Sequence, residues 1–245
     1  MAPTTALRAT KDRKVTNDVT ASGAPSVAGA NSFGLLAGSD YSCPGATEVC
    51  SAICYAGKLE KIFKGARAIV ESNYNLLKDA DRPTMISLID EMITAFEAKC
   101  DKRGALKIFR IHWDGDFFSA EYAEAWKAVI LRHPDTQFWA YTRSAFAVKI
   151  LVNVPNLSLY FSADTANMQV AKAMRRTYGV KLAMLTETFA EGAVIMREIT
   201  GNAGVACPEL NGKLPMISPE GSACARCGQC VFGRNDIRFA SKPNA

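Results

Sequence analysis

The sequence predicts an α/β protein that forms a partial (β/α)6, TIM-like barrel and carries a cysteine-rich C-terminal tail. After residue 104, short apolar runs alternate with amphipathic helical stretches, a pattern that gives a parallel sheet with helices outside it. We count about six such strand–helix units, fewer than the eight of a closed barrel. Seven of the eight cysteines fall into two groups, one after the first predicted strand and one near the C-terminus. We therefore expect an open barrel that binds metal.

Composition favours a water-soluble protein. The chain has 245 residues, 49% of them hydrophobic, which suffices for one sizeable core, and no apolar run reaches the roughly 18 residues of a membrane span. The basic N-terminus is not followed by an apolar segment, so we expect a cytoplasmic protein with reduced thiols and no membrane contact. The net charge of +5 permits nucleic acid as a partner without indicating it, because no basic stripe is present.

The chain divides into a flexible N-terminal arm (1–31), the barrel with its cysteine loop (32–206) and a cysteine-rich metal-binding extension (207–245). Cys100 is expected to be a buried residue on an apolar helix face rather than a ligand. Ser119 is the predicted N-cap of one helix, and Gly179 and Gly201 are predicted helix ends. The predicted strands and helices lie in chain order at 33–37, 58–79, from Pro83 to Cys100, 106–112, 119–132, 137–141, 145–152, 157–161, 167–178, 180–185, 189–200 and 204–206.

The first cysteine group comprises Cys43, Cys50 and Cys54 in one loop. Pro44 and Gly45 supply a turn, and the spacing from Cys50 to Cys54 fits one turn at the start of a helix, where a thiolate is favoured. Three thiolates are one ligand short of a closed tetrahedral site. The loop therefore predicts a metal centre that keeps one coordination position for a substrate or cofactor.

The second group comprises Cys207, Cys224, Cys227 and Cys230. Cysteines at intervals of three, with a remote Cys-Pro, resemble half of a bacterial ferredoxin motif and favour an iron–sulfur cluster. Zinc is the alternative, because four-cysteine sites are common structural staples. The segment 211–230 is rich in Pro, Gly and Ser, so we expect the metal to fold it. A tail cysteine that reached the first loop would instead join both groups in one centre.

Polar side chains end four consecutive predicted strands. Ligands bind at the carboxyl ends of parallel strands, so these side chains are expected to share one cavity with the cysteine loop. The competing explanation is that strand ends lead into loops, which are polar in any protein. The candidate catalytic residues are His112, Asp114 and Asp116, and the candidate substrate or cofactor contacts are Tyr55, Thr142, Arg143, Ser162, Asp164 and Glu187.

These features resemble the radical S-adenosylmethionine (SAM) enzymes, whose loop reads Cys-x₃-Cys-x₂-Cys where this chain has Cys-x₆-Cys-x₃-Cys. A closer similarity is to phage and bacterial proteins of unknown function that look like radical-SAM barrels. It extends over roughly residues 33 to 232 and comprises the Cys-Tyr-Ala end of the loop at 54–56, Gly-Asp-Phe-Phe at 115–118, the strand from Pro134 to Arg143, and the terminal Cys-x-x-Cys-Gly segment.

The resemblance implies a [4Fe–4S] cluster on Cys43, Cys50 and Cys54, with SAM as a candidate cofactor and a reductase or ferredoxin as electron donor. Together with the spacing of the C-terminal cysteines, which indicates a second [4Fe–4S] cluster or zinc, it gives a protein with two metal centres, located in the host cytoplasm if phage-encoded. The substrate would be a small molecule or a macromolecule. Two other classes stay open: a non-enzymatic iron–sulfur protein that binds or senses a host protein or nucleic acid, and a zinc-stapled nucleic-acid-binding module.

Overall fold

The computed structural model describes residues 5–15, 30–218 and 220–242 and has a mixed α/β fold. In chain order its elements are β1 (Ser32–Gly34), α1 (Glu48–Ile53), α2 (Tyr55–Ile62), α3 (Lys64–Leu77), α4 (Arg82–Arg103), β2 (Ile108–Asp114), α5 (Ala120–Arg132), β3 (Gln137–Thr142), α6 (Ala145–Leu151), β4 (Leu157–Ala163), α7 (Met168–Tyr178), β5 (Lys181–Thr186), α8 (Phe189–Thr200), β6 (Val205–Ala206), β7 (Ile217–Ser218), β8 (Gly221–Ser222), α9 (Ala223–Cys227) and β9 (Ile237–Ala240).

Seven strands form one parallel sheet in the order β1-β2-β3-β4-β5-β9-β6, and β7 and β8 form a separate hairpin. The predicted α/β class with a parallel sheet is confirmed. Over the described ranges, β1 and β6 are the outer strands and do not pair with each other, so the sheet is open and no closed barrel is formed. None of the helices in this part of the chain has the length and apolar character that a bilayer crossing requires.

The C-terminal extension contributes an interior strand, next to the edge strand β6, to this sheet. β9 lies between β5 and β6, with Ile237 in register with Ala183 on one side and Val205 on the other. Sequence analysis missed this strand, because four residues that follow a polar loop give too short an apolar run to stand out. The extension is therefore part of the main fold rather than a separate appendage.

Local chemistry explains where the helices begin and end. Ser119 caps α5 by accepting a hydrogen bond from Tyr122 N, and Gly179 and Gly201 close α7 and α8 with left-handed φ angles of 66° and 80°, as predicted. The helix predicted over 58–79 is two helices, because Phe63 has φ −109° and ψ 88° and interrupts the hydrogen-bond ladder. This break separates α2, which follows the cysteine loop, from α3.

The sheet has two differently covered faces. Helices α3 to α8 pack on one face over an apolar core that includes Phe109, Phe138 and Trp126, and Cys100 lies in this core, 3% exposed, as predicted. On the other face lie Trp139 and Tyr160, which the C-terminal tail covers. This second face is the one that positions the C-terminal cysteines.

Part of the N-terminal arm is packed against the sheet, in contrast to the predicted flexibility. Residues 5–15 are ordered: Thr10 pairs with Ser32 in an antiparallel bridge, Leu7 is 8% exposed and Val15 is fully buried. Asn73 fixes the same segment, because its side chain accepts from Arg8 N and donates to Arg8 O. The rest of the predicted arm, 1–4 and 16–29, lies outside the described residues.

Candidate metal and cofactor site

The cysteine loop runs along the carboxyl ends of β3 and β4. Gly45 packs on the Arg143 backbone so closely that a Cβ at this position would lie 2.5 Å from Arg143 O. Thr47 caps α1 by accepting from Cys50 N, and its hydroxyl donates to Asp164 Oδ2 at 2.6 Å. Residues just beyond both strands therefore hold the loop, as expected for ligands placed at one end of a parallel sheet.

The three loop thiols have different surroundings. Burial, reinforced by the nearby charge of Asp116, raises the pKa of Cys43 to about 12. Burial also raises the pKa of Cys50, while Arg143 opposes this effect and Cys54 adds to it. Cys54 Sγ caps α2 by accepting from Gly57 N at 3.3 Å. The loop thus places Cys50 beside Cys54, and Cys43 beside the acidic end of β2.

Asp116 ties the ends of β2 and β3 together. Its carboxylate accepts hydrogen bonds from Thr142 Oγ1 at 2.7 Å, Arg143 N at 2.8 Å and Phe117 N at 2.7 Å. Burial raises its pKa to about 6, and these three hydrogen bonds act in the opposite direction. Two predicted site residues, Asp116 and Thr142, are therefore bonded to each other.

Arg143 and Asp164 form a buried ion pair beside Cys50. Arg143 Nη1 lies 2.6 Å from Asp164 Oδ2, and the two side chains are 8% and 0% exposed. Asp164 Oδ1 also accepts from the backbone N–H groups of Ala166 and Asn167, which orders the start of α7. The prediction that these residues lie close together at the strand ends agrees with this geometry.

Two other predicted contacts lie at the margin of this group. The backbone oxygen of Ser162 accepts from Asn167 Nδ2 at 3.1 Å. Glu187 pairs with Lys242 at 3.1 Å in an exposed pair, with side chains 67% and 61% accessible. Neither side chain joins the Asp116 and Asp164 networks.

Asp114 forms a buried acid pair with Glu60 of α2, which sequence analysis missed. Asp114 is 2% exposed and Glu60 is 7% exposed. The Asp114 carboxyl interacts with that of Glu60 and with the Gly115 N–H, and Glu60 Oε1 accepts from Ala37 N at 2.8 Å. Burial, followed by the proximity of Glu60, raises the pKa of Asp114 to about 9. The two carboxyls therefore share a proton or require a cation.

His112, a predicted catalytic residue, is buried in the core and 4% exposed. It has a left-handed φ of 61°, which breaks the alternation of β2 side chains. Its ring centroid lies 4.6 Å from that of Phe117, and its Nε2 lies 2.9 Å from Tyr122 Oη. Burial lowers its pKa to about 3, so the imidazole is neutral. The ring thus packs among aromatic side chains, and the catalytic role of His112 stays a prediction.

Tyr55 connects the loop to the second face of the sheet. Its ring is 53% exposed, and its hydroxyl donates to Trp113 O at 2.7 Å and accepts from Arg110 Nη2 at 3.1 Å. Arg110 in turn pairs with Asp12 at 2.6 Å. Asp12 and Arg110 were not predicted as site residues, because they lie 98 positions apart in the chain.

The four C-terminal cysteines line one cavity on the second face of the sheet. The cavity has a volume of about 30 Å³ and is lined by Cys207, Pro208, Glu209, Ala223, Cys224, Cys227, Gln229, Cys230 and Ile237. Tyr160 anchors the surrounding tail, because its hydroxyl lies 3.1 Å from Gln229 O and 3.0 Å from Asn235 O. Burial raises the pKa of Cys230 to about 12 and also raises that of Cys224.

These thiols suit a soft metal by their chemistry. All eight cysteines are free of disulfides. Four thiols around a small apolar cavity are the donor set of zinc and of iron–sulfur centres, and metal binding would compensate for the burial that raises the pKa of Cys207, Cys224 and Cys230. Among the described residues, no three His, Cys, Asp or Glu side chains are yet arranged as ligands around one ion. Binding in either group therefore requires the thiols to move closer together.

Comparison with known proteins identifies relatives of the whole chain. A family model described as Gene product 88 matches residues 5–233. The Gene 88 protein of Mycobacterium phage L5 is 46% identical over 239 residues, which cover 96% of this chain and 98% of the relative. The Gene 88 protein of Mycobacterium phage D29 is 46% identical over 240 residues, with coverage of 96% and 98%. No solved structure shows a significant match.

Proposed function

We propose, on the premise that this chain belongs to the Gene product 88 family of phage proteins, that it is an iron–sulfur protein of radical-SAM-like build. In this proposal Cys43, Cys50 and Cys54 hold a [4Fe–4S] cluster at the strand ends. The C-terminal cysteines hold a second metal centre, which stabilises the tail or passes electrons. A small molecule or a macromolecule at the loop would be the substrate.

The observation that carries this proposal is the position of the cysteine loop. The loop contacts the ends of β3 and β4 through Gly45 and Thr47, and Cys43 lies beside Asp116 at the end of β2. Three thiols and four buried polar side chains thus occupy the end of a parallel sheet where ligands bind in such folds. The four polar side chains are Asp116, Thr142, Arg143 and Asp164. Thiols placed there for packing alone would not need these acidic and basic neighbours.

The strand order supports the partial-barrel part of the proposal. From β1 to β5 each strand lies next to its predecessor in the chain. Right-handed crossovers between consecutive parallel neighbours place all helices on one face of the sheet. The opposite face then corresponds to the inside of a barrel, and here the tail with its four cysteines fills it.

The residues at the strand ends would have distinct roles. A reduced cluster, when bound, supplies one electron for reductive cleavage of SAM. The buried carboxyls of Asp114 and Glu60, whose mutual proximity raises the pKa of Asp114, would accept an ammonium group. Asp116 and Thr142 would hold the strand ends in place, and Arg143 would bind a carboxylate or phosphate after exchanging it for Asp164. Cluster formation would also require the thiol of Cys43 to turn toward Cys50 and Cys54.

Two observations favour a second candidate, a non-enzymatic protein that binds or senses a host protein or nucleic acid. Most polar groups at the strand ends are hydrogen-bonded to one another, as in the pair of Arg143 and Asp164, which leaves few groups for a substrate. The C-terminal cavity of about 30 Å³ has room for about two water molecules, a size that suits a single zinc ion once the thiols have moved closer together.

Metal analysis with electron paramagnetic resonance (EPR) spectroscopy separates these functions. The full chain is prepared anaerobically, its iron, sulfide and zinc are quantified, and the reduced protein is examined by EPR with and without SAM. About eight irons per chain with a spectrum that SAM perturbs would support the proposal, since each [4Fe–4S] cluster needs four. Zinc alone, with no response to SAM, would overturn the iron–sulfur proposal and favour the second candidate. Cys50→Ser should abolish the SAM response, and Cys100→Ala is the matched control that should retain it.

A further inference from the structure

Arg110 is a buried cation on the second face of the sheet. It lies in β2, its side chain is 14% exposed, and its Nη1 donates to Asp12 Oδ2 at 2.6 Å. Its Cζ lies 5.9 Å from the centroid of the Tyr141 ring. Its Nε is buried and has no hydrogen-bond partner among the described residues. A buried guanidinium is costly unless neighbouring groups compensate it, so its surroundings indicate what it stabilises.

One side of Arg110 contacts the cysteine loop. Its Nη2 donates to Tyr55 Oη at 3.1 Å, and Tyr55 directly follows Cys54. The same hydroxyl donates to Trp113 O at 2.7 Å. Arg110 therefore fixes the residue next to the third loop cysteine against the end of β2.

The other side leads to the C-terminal cavity. Asp12 Oδ1 accepts from Lys14 N at 2.9 Å, and Lys14 O accepts from Cys224 N at 2.8 Å. Lys14 Nζ pairs with Glu209 at 2.8 Å, and Glu209 and Cys224 both line the cavity. Tyr141, below the guanidinium, packs in the same apolar clusters as Cys230.

The charge of Arg110 also lies near the tail thiols. Its guanidinium lies over the Tyr141 ring, and Tyr141 packs in the same clusters as Cys230. A loaded four-thiolate centre carries net negative charge, which a fixed cation nearby stabilises. The reduction potential of an iron–sulfur cluster depends on such charges and on hydrogen bonding around its sulfurs.

We infer that Arg110 is a positioning residue that couples the two cysteine groups, holding the loop and the tail in a fixed relation and favouring the reduced, more negative state of the C-terminal centre. The inference rests on the proposed function, because it requires metal at the C-terminal cysteines. It adds a role for the N-terminal segment, since Asp12 and Lys14 link Arg110 to Cys224.

A redox titration of the anaerobically loaded full chain, monitored by EPR, tests the inference. Arg110→Gln removes the charge and is expected to reduce the equilibrium constant for reduction of the C-terminal centre about tenfold, or about 59 mV for a one-electron couple. Arg110→Lys keeps the charge and should recover most of the wild-type value. Arg67→Gln, on the exposed surface of α3, is the matched control and should have no effect. If the centre holds zinc, a chelator should remove it about tenfold faster from Arg110→Gln.

Further variants keep the outcomes distinct. An unchanged potential, or unchanged zinc release, in folded and loaded Arg110→Gln overturns the inference and leaves the proposed function standing. Wild-type protein that takes up no metal overturns the proposed function itself. If Arg110→Gln fails to fold, Asp12→Asn replaces it in the test. Removing the negative charge that opposes Arg110 should raise the reduction potential of the C-terminal centre. A lowered or unchanged potential overturns the inference. Tyr55→Phe keeps the charge and should alter the loop cluster's EPR spectrum alone, whereas an unaltered spectrum contradicts the coupling.

Discussion

The two cysteine groups occupy different surroundings. The loop thiols lie among charged and polar side chains: Cys43 is beside Asp116, and Cys50 is beside the pair of Arg143 and Asp164. The tail thiols line a small cavity between the tail and the aromatic face of the sheet. A thiolate centre among polar groups is suited to exchanging ligands, whereas one enclosed by apolar groups is suited to holding a fold together.

The structural support of the two regions differs in the same way. The loop is anchored by hydrogen bonds that do not involve its cysteines, such as that from Thr47 to Asp164. The tail has little regular structure of its own, since β7 and β8 have two residues each and α9 has five. We therefore expect the tail to depend on its metal for stability, and the loop to keep its path without one.

The largest effect should come from removing tail cysteines. Cys224→Ser with Cys227→Ser should unfold the tail, because a structural thiolate site contributes on the order of 10 kcal/mol to the fold it closes. Hydrogen exchange followed by mass spectrometry should show lost protection over 207–236 and β9. The matched loop variant, Cys50→Ser with Cys54→Ser, should lose its metal and keep this protection. Equal loss of protection in both variants would contradict the distinction between the regions.

Breaking the buried ion pair should have the next largest effect. Arg143→Ala leaves Asp164 buried without its counter-charge, which typically costs about 3–5 kcal/mol, and chemical denaturation measures the loss. Lys242→Ala breaks the exposed pair with Glu187 and should cost about 1 kcal/mol or less. Similar losses in the two variants would show that the polar network at the strand ends does not anchor the loop.

A smaller effect is expected where the tail meets the sheet. Tyr160→Phe removes the hydroxyl that lies within hydrogen-bond distance of Gln229 O and Asn235 O and should destabilise the protein by about 1–3 kcal/mol, measured by denaturation. The exposed Tyr41→Phe should change stability little. If Tyr160→Phe lowers stability only in metal-loaded protein, the metal orders the tail. Equal losses of stability with and without metal would indicate that the tail folds without metal.

The acid pair at the end of β2 should make stability depend on pH. The pKa of Asp114 is raised to about 9 by burial and Glu60, so the folded protein favours its protonated form, and this contribution to stability is lost as pH rises above about 4 toward 9. Asp114→Asn should stabilise the protein by about 1–3 kcal/mol at pH 8 and have little effect at pH 4. Thermal unfolding measures the difference, with surface Asp40→Asn as the control. A destabilised variant at pH 8 would show that a cation compensates the pair.

Local sequence signals predicted much of the fold. The alternation of apolar runs and helices predicted the parallel sheet, and Ser119, Gly179 and Gly201 marked helix ends because their chemistry acts within one turn. Cys100 lies in the core, as helical periodicity indicated. The features that sequence analysis missed depend on backbone detail or distant partners.

Three residues show why sequence analysis missed these features. The left-handed φ of His112 turns it into the core, and nothing in the residues around it signals that conformation. Glu60 occupies a helix position that reads as solvent-exposed, yet it faces Asp114. Arg110 acquires its role from Asp12 and Tyr55, which are far from it in the chain.

The central claim is that the chain carries two separate metal centres. The most direct test compares metal and sulfide contents after anaerobic preparation of wild type, a loop variant (Cys43→Ser, Cys50→Ser, Cys54→Ser) and a tail variant (Cys207→Ser, Cys224→Ser, Cys227→Ser, Cys230→Ser). The loop variant should lose about four irons and retain the tail metal. The tail variant should lose only the tail metal, and any further loss of iron from it should be confined to the unfolded fraction of the protein. A loop variant that loses all metal, or a wild type that binds none, would contradict the account.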